Sequence, residues 1–146
     1  MNEICGLQDV GFDPLVRTLL GVADRLESRV ESALSAIGLS FTKLGILHHL
    51  IQAGEPLPLK GLADRISCVK SNITQLMDRL ESEGLVARAI DPSDRRSIRA
   101  NVTAEGRLRY AAGAKILEEQ ERLLLRCLPE PDRRKLVGLL DQLCKD

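Results

Sequence analysis

Aromatic residues are scarce in this 146-residue chain: tryptophan is absent, and the aromatics are Phe12, Phe41 and Tyr110. A binding cleft lined by aromatic rings has little to draw on. Histidine is equally sparse. His48 and His49 are neighbours, and adjacent helical positions point about 100° apart, so they do not form the i, i+4 pair of a metal-binding helix. Neither a metal nor a cofactor is expected. The cysteines, Cys5, Cys68, Cys127 and Cys144, include no C-x-x-C pair. A chain of this size needs no disulfide framework, so reduced thiols are expected. No apolar run is long enough to cross a bilayer. The opening stretch "MNEICGLQDVGFDPL" is acidic and lacks a basic region leading into an apolar one, unlike a secretory signal. These features predict a cytoplasmic protein with no membrane partner. Glycine-rich phosphate loops, G-x-S-x-G and H-E-x-x-H are also missing, and no nucleophile–base pair accompanies the histidines. An enzyme is not expected.

Net charge is absent too, with 21 Lys+Arg against 21 Asp+Glu. That balance argues against a wholly basic coating protein, but the distribution is uneven. Residues 1–59 hold four basic side chains (Arg17, Arg25, Arg29, Lys43) and seven acids. Between 95 and 109, Arg95, Arg96, Arg99, Arg107 and Arg109 face only Glu105. A local cationic patch can bind and orient a polyanion whatever the total charge.

What the chain does have is helical periodicity. Asp13-Pro14 gives an N-cap followed by N1, and Leu15, Leu19, Val22, Leu26, Val30, Leu34 and Ile37 follow at helical spacing, with a stop at Gly38. Ser40 or Thr42 caps a second helix with Leu44, Leu47, Leu50 and Ile51 inside. Gly54 and "EPLP" then break the chain. Leu59, Leu62, Ala63 and Ile66 mark a short third helix, and "SCVKS" is a turn. A fourth helix is predicted from about Val69 to Glu83, with Val69, Ile73, Leu76, Met77 and Leu80 inward and Gly84 at the left-handed C′ position. "LVARAI" (85–90) and "SIRANV" (97–102) flank the turn chemistry of "DPSDRR", predicting a hairpin with a basic tip. Thr103 caps a long fifth helix with Leu108, Ala112, Ile116, Leu123 and Cys127 inside. "PEPD" interrupts it, and Leu136, Leu139, Leu140 and Leu143 mark the last helix, in which Cys144 is also assigned to the core.

The predicted fold is mainly α with a small β-hairpin. It is a winged helix-turn-helix over residues 39–103, framed by a helical region made of 1–38 and 104–146. The outer face of the fourth helix carries Lys70, Ser71, Asn72, Thr74, Gln75 and Asp78. Short hydrogen-bonding side chains of this kind can read base edges in a major groove. They are also ordinary surface residues. The downstream hairpin with Arg95 and Arg96 at its tip shifts the balance, because arginine is favoured in narrow minor grooves.

"LADRI", the polar helix ending "MDRLESEGLVAR", "DPSDRRS" and "VTAEGR" resemble the helix-turn-helix and wing signature of the MarR (multiple antibiotic resistance regulator) family of transcription regulators. The likeness is specific over 57–107 and extends to the flanking helices by pattern. It implies a homodimer on double-stranded DNA with an inverted-repeat operator, a signal-released repressor, and no catalysis. It places Ser71, Asn72, Thr74 and Gln75 at recognition-helix positions and Arg95 at the minor-groove position. Asp94 and Arg96 match a pair that braces the wing. With Lys70, Arg96 and Arg99 these make up the expected DNA-binding set. The family also implies a small-molecule effector, but its Gln-aromatic pair on the second helix corresponds here to Lys43-Leu44, with Lys43 expected at the surface. Some relatives sense oxidants through cysteine. Cys68, near a helix start and Lys70, is the candidate, against the simpler assignment as a small turn or core residue. The other function to weigh is a winged-helix protein-interaction module that binds no DNA, for which an apolar helix face and a neutral hairpin would be the signs.

Overall fold

The computed structural model describes residues 11–66 and 73–145. The elements run α1 (Pro14–Ser35), α2 (Phe41–Ala53), β1 (Leu57–Pro58), α3 (Leu59–Arg65), α4 (Ile73–Ser82), β2 (Val86–Ile90), β3 (Ile98–Val102), α5 (Ala104–Leu125) and α6 (Glu130–Leu143). The predicted start of the fourth helix at Val69 lies outside the described residues, as do Cys5, Cys68, Lys70, Ser71 and Asn72.

Local chemistry sets the helix ends. The Asp13 side chain accepts from Leu15 N at 2.8 Å, Ser40 from Lys43 N at 3.1 Å and Thr103 from Gly106 N at 3.0 Å. Each occupies one of the backbone donors that a helix start leaves free. Gly84 adopts φ 71°, and Leu85 N donates to Leu80 O at 2.9 Å, so α4 ends in a left-handed turn that a glycine accepts without strain.

The sheet has three antiparallel strands in the order β1-β3-β2. Val86 faces Val102 at the hairpin base and Ile90 faces Ile98 near its tip. β1 is a departure from expectation. The "EPLP" stretch breaks α2 as predicted, but Leu57 and Pro58 then pair with Ala100 and Arg99. Pro58 is tolerated because β1 is an edge strand.

One core joins these layers. Leu34 of α1, Leu44, Ile46, Leu47 and Leu50 of α2, Leu62 of α3, and Met77 and Leu80 of α4 pack on Leu85, Val86, Ala100 and Val102 of the wing base. α5 lies against α2 and α1, and the stripe that its apolar spacing suggested holds in part: Ile116 packs on the core and Ala112 is half-buried, whereas Leu108 and Cys127 are exposed. Leu108 is 68% exposed, and the buried positions are Gly106 and Gly113. A Cβ on Gly113 would lie 2.7 Å from Leu44 Cδ1 and 3.0 Å from Leu39 Cδ1, so the glycine admits leucines from the neighbouring layer. Cys127 and Cys144 are exposed rather than core. α6 buries no residue against its own chain.

Candidate nucleic-acid interface

α4 sinks Met77 and Leu80 into the core and leaves Thr74, Gln75, Asp78 and Arg79 outward. Thr74 and Gln75 thus present hydrogen-bonding groups to solvent. Asp78 is already engaged: Arg88 of β2 reaches it at 2.7 Å and also donates through Nε to Glu81 Oε2 at 2.7 Å. The hydrogen bond from Arg88 holds the Glu81 carboxyl below its ordinary value, and the same bond raises the Arg88 guanidinium. This clamp ties the C-terminal half of α4 to the first strand of the wing. The sequence showed both partners, but nothing in their spacing marked them as a pair.

A further ion pair holds the turn that follows α4. Lys43 Nζ meets Glu83 Oε1 at 2.6 Å, and the lysine side chain is only 13% exposed. Lys43 was expected at the surface. Instead its stem lies in the gap between α2 and the end of α4.

The wing turn is built around Asp91. Its Oδ1 accepts from Ser93 N at 2.8 Å and from Ser93 Oγ at 2.7 Å, and its Oδ2 accepts from Arg99 Nε at 2.6 Å. Asp91 is 5% exposed. The Ser93 hydroxyl, then the Ser93 amide, then Arg99 pull its carboxyl down to about 2. Hydrogen bonds to the charged form lower a carboxyl in this way. Backbone bonds close the turn, with Asp91 N donating to Ser97 O at 2.9 Å and Ser97 N to Asp94 O at 2.8 Å.

The expected brace therefore sits on other residues. Asp94 does not pair with the Arg96 guanidinium; its Oδ1 accepts from Arg96 N at 3.0 Å, a local turn contact. The ion pair of the wing is Asp91–Arg99. The strand register explains the shift. Ile90 opposite Ile98 sets Asp91 at the start of the turn, within reach of Arg99 on the returning strand. Arg95 and Arg96 are exposed, and among the described residues neither forms an ion pair. Of the predicted DNA-facing set, the structure places Thr74, Gln75, Arg95 and Arg96 on the surface and turns Arg99 toward the brace.

The wing base is fastened to α5. Thr103 Oγ1 donates to Gly84 O at 2.6 Å, and Thr103 N donates to Leu85 O at 3.1 Å. α4, wing and α5 thus meet at one junction.

Apart from this surface, a cavity of about 290 Å³ opens between α2 and α5. Its lining includes Phe41, Leu44, His48, Tyr110 and Leu117. His48 Nδ1 and the Tyr110 hydroxyl are hydrogen-bonded at 2.8 Å. Two of the chain's three aromatics beyond histidine converge here, so their scarcity did not prevent a ring-bearing cavity.

Comparisons with known proteins agree with this geometry. Residues 39–98 match the MarR family. The HTH-type transcriptional repressor Rv2887 of Mycobacterium tuberculosis is 29% identical over 133 residues, which are 91% of this chain and 95% of that protein. The crystal structure of a probable transcriptional regulator from Pseudomonas aeruginosa has a TM-score of 0.76 at 26% identity, covering 90% of this chain and 97% of the other. A mutant MarR from E. coli complexed with operator DNA shares the fold, with a TM-score of 0.78 at 20% identity over 90% of this chain and 94% of that one. A winged helix-turn-helix with a cationic tip, the matching sequence pattern and these likenesses lead to one assignment: residues 39–98 form a domain that matches the MarR family, on a fold similar to that of MarR transcriptional regulators.

Proposed function

We propose that the chain works as a cytoplasmic homodimer that reads an inverted-repeat operator and represses transcription until a small-molecule effector releases it. The carrying observation is the wing. Its braced turn holds Arg95 and Arg96 out in solvent without ion-pair partners among the described residues, beside the exposed Thr74 and Gln75 of α4. A protein-binding module would more naturally offer apolar side chains at these places. In the proposed division of labour, Thr74 and Gln75, with Lys70, Ser71 and Asn72, contact the major groove. Arg95 enters the minor groove, and Arg99 acts through Asp91 by holding the turn.

Dimerisation is supported by what the single chain leaves uncovered. Leu15, Val16, Leu20 and Val22 of α1 are exposed, as are Leu136, Val137, Leu139 and Leu143 of α6. This 14-residue helix has no fully buried residue in its own chain, and isolated helices of that length are marginal in water. A second copy would cover both apolar faces, assigning 1–38 and 104–146 to dimerisation and 39–103 to DNA binding. Two recognition helices would then lie about 34 Å apart, one turn of DNA. The cavity between α2 and α5 is the proposed effector site, because it adjoins both the dimerisation helix α5 and the α2 end that Lys43 links to α4.

The test is retention on duplex promoter fragments through a salt titration. Binding dominated by several phosphate contacts should weaken about a thousandfold or more between about 50 and 200 mM salt. Retention that ignores salt, or no retention on any fragment, would sink the reading.

A further inference from the structure

α1 and α5 leave two adjoining hollows between them, on elements that neither the α4 face nor the wing uses. One is an apolar slot of about 270 Å³ whose walls include Leu26, Val30, Leu117 and Leu124. All four are half-buried. The other is a polar groove lined by Ser28, Arg29, Ser32, Ala33 and Gln120. Arg29 and Gln120 border both, so they form the rim where slot and groove meet. The slot shares Leu117 with the α2–α5 cavity and is otherwise built from different residues.

The rim is suited to an anion. Arg29 is exposed, and among the described residues it forms no ion pair. Its Nη2 donates to Gln120 Oε1 at 3.4 Å, so Gln120 accepts from Arg29 and keeps its amide N–H groups for another acceptor. Ser28 and Ser32, one turn apart on α1, share a face and add two hydroxyls. A guanidinium with neighbouring donors matches the planar, two-oxygen geometry of a carboxylate. Glu121 borders the slot but not the groove, which directs a negative end to the groove and an apolar end to the slot.

The walls select the tail. They are aliphatic, whereas the α2–α5 cavity carries Phe41, His48 and Tyr110. The slot is also small, just under the roughly 300 Å³ at which pockets for drug-sized ligands begin. We propose that slot and rim together bind a straight-chain carboxylic acid of medium length. Its tail lies among Leu26, Val30, Leu117 and Leu124, and its carboxylate meets Arg29, Gln120 and the two serine hydroxyls. The exposed apolar residues of α1 that a second copy would cover lie between Leu15 and Val22, and the slot begins beyond them at Leu26. The inference does not depend on the DNA-binding reading.

Isothermal titration calorimetry of the full-length protein with octanoate tests this. Octanol, which has the same tail and no charge, should bind about tenfold more weakly or worse, the usual weight of hydrogen bonds to a charged group. Arg29→Gln should bring octanoate down to the octanol level and leave octanol unchanged. Arg29 is exposed, so this variant should melt as wild type does. Each methylene removed from the acid should cost about fourfold in affinity. Leu124→Trp fills the slot and should abolish binding; if it does not fold, Leu26→Phe takes its place. Gly45→Leu fills the α2–α5 cavity instead, from a lining glycine whose added Cβ meets nothing within 4 Å, and should leave octanoate binding unchanged. The site is overturned if wild type does not bind octanoate, or if octanoate and octanol bind equally. A loss in Gly45→Leu that the slot-filling variant does not share would place the ligand in the other cavity and overturn it too.

Discussion

Gly106, at the start of α5, is the position where a single methyl group should do most damage. A Cβ there would lie 2.0 Å from the carbonyl oxygen of Leu85 and 2.8 Å from Val102 Cγ2. The first neighbour is backbone, and it is fixed twice: Leu85 O accepts from Thr103 N at 3.1 Å, and Leu85 N donates to Leu80 O at 2.9 Å. Relief therefore requires α5 to move away from the α4–wing junction. Replacing glycine by alanine inside a helix normally gains about 1 kcal/mol. Overpacking a tight site costs about 1–3 kcal/mol, and more when only backbone can yield. The net for Gly106→Ala is thus a loss of about 2 kcal/mol, which for a domain of this size lowers Tm by about 4–8 °C. Two reference variants calibrate the estimate. Gly113→Ala meets only the ends of leucine side chains, which can rotate, so it should lose less. Gly45→Ala, with nothing within 4 Å, should gain stability. Differential scanning calorimetry at one protein concentration should give the order Gly45→Ala, wild type, Gly113→Ala, Gly106→Ala from most to least stable. Adding Val102→Ala to Gly106→Ala should not restore it, because the carbonyl clash remains. A Gly106→Ala protein melting at or above wild type would refute the close approach.

Three further expectations concern the surface. The Asp91 carboxyl, lowered from 3.8 to about 2, contributes stability that is fully present above pH 3.8 and is lost as pH falls through about 2; an NMR titration of that carboxyl with a midpoint near 4 would contradict the brace. Arg95→Ala should weaken binding similarly on every operator variant, whereas Gln75→Ala should change which bases are preferred, as read by a selection from randomised duplexes. Equal losses on all sequences from both would refute that division. Leu139, 51% exposed on α6, should become an obstacle to association when changed to Glu; light scattering should then report monomer, and an unchanged mass would remove α6 from the interface.

Local signals in the sequence proved reliable where the cause was local. Asp13, Ser40, Thr103 and Gly84 end their helices through atoms within a few residues, so their roles were legible from residue type and order. The hairpin was legible for the same reason. β1 was not, because a two-residue strand containing proline exists only through its pairing with β3. The apolar spacing of α5 points inward correctly at Ile116 but also at Leu108, which is exposed. The close approaches there occur at Gly106 and Gly113, and a glycine gives no hydrophobic signal. The brace was one pairing out: acid and base were expected near each other in sequence, but Asp91 and Arg99 meet across the hairpin. The Arg88 clamp on Asp78 and Glu81 depends likewise on how β2 lies along α4.

These pairings also explain how a chain with no net charge can present a cationic edge. The acids around the proposed interface are largely engaged from within. Asp78 and Glu81 face Arg88, Glu83 faces Lys43, and Asp91 faces Arg99. At a distance beyond the Debye length of about 10 Å, a close pair acts as a screened dipole rather than as an anion. Lys60, Arg95 and Arg96 have no ion-pair partner among the described residues, so their fields are not cancelled at contact range. Arg88 and Lys43 thus favour DNA without touching it, by offsetting two of the three carboxylates, Asp78, Glu81 and Glu83, at and just beyond the end of α4 that would otherwise repel phosphate. Pairing decides the sign of the surface that a polyanion meets, and the total charge does not.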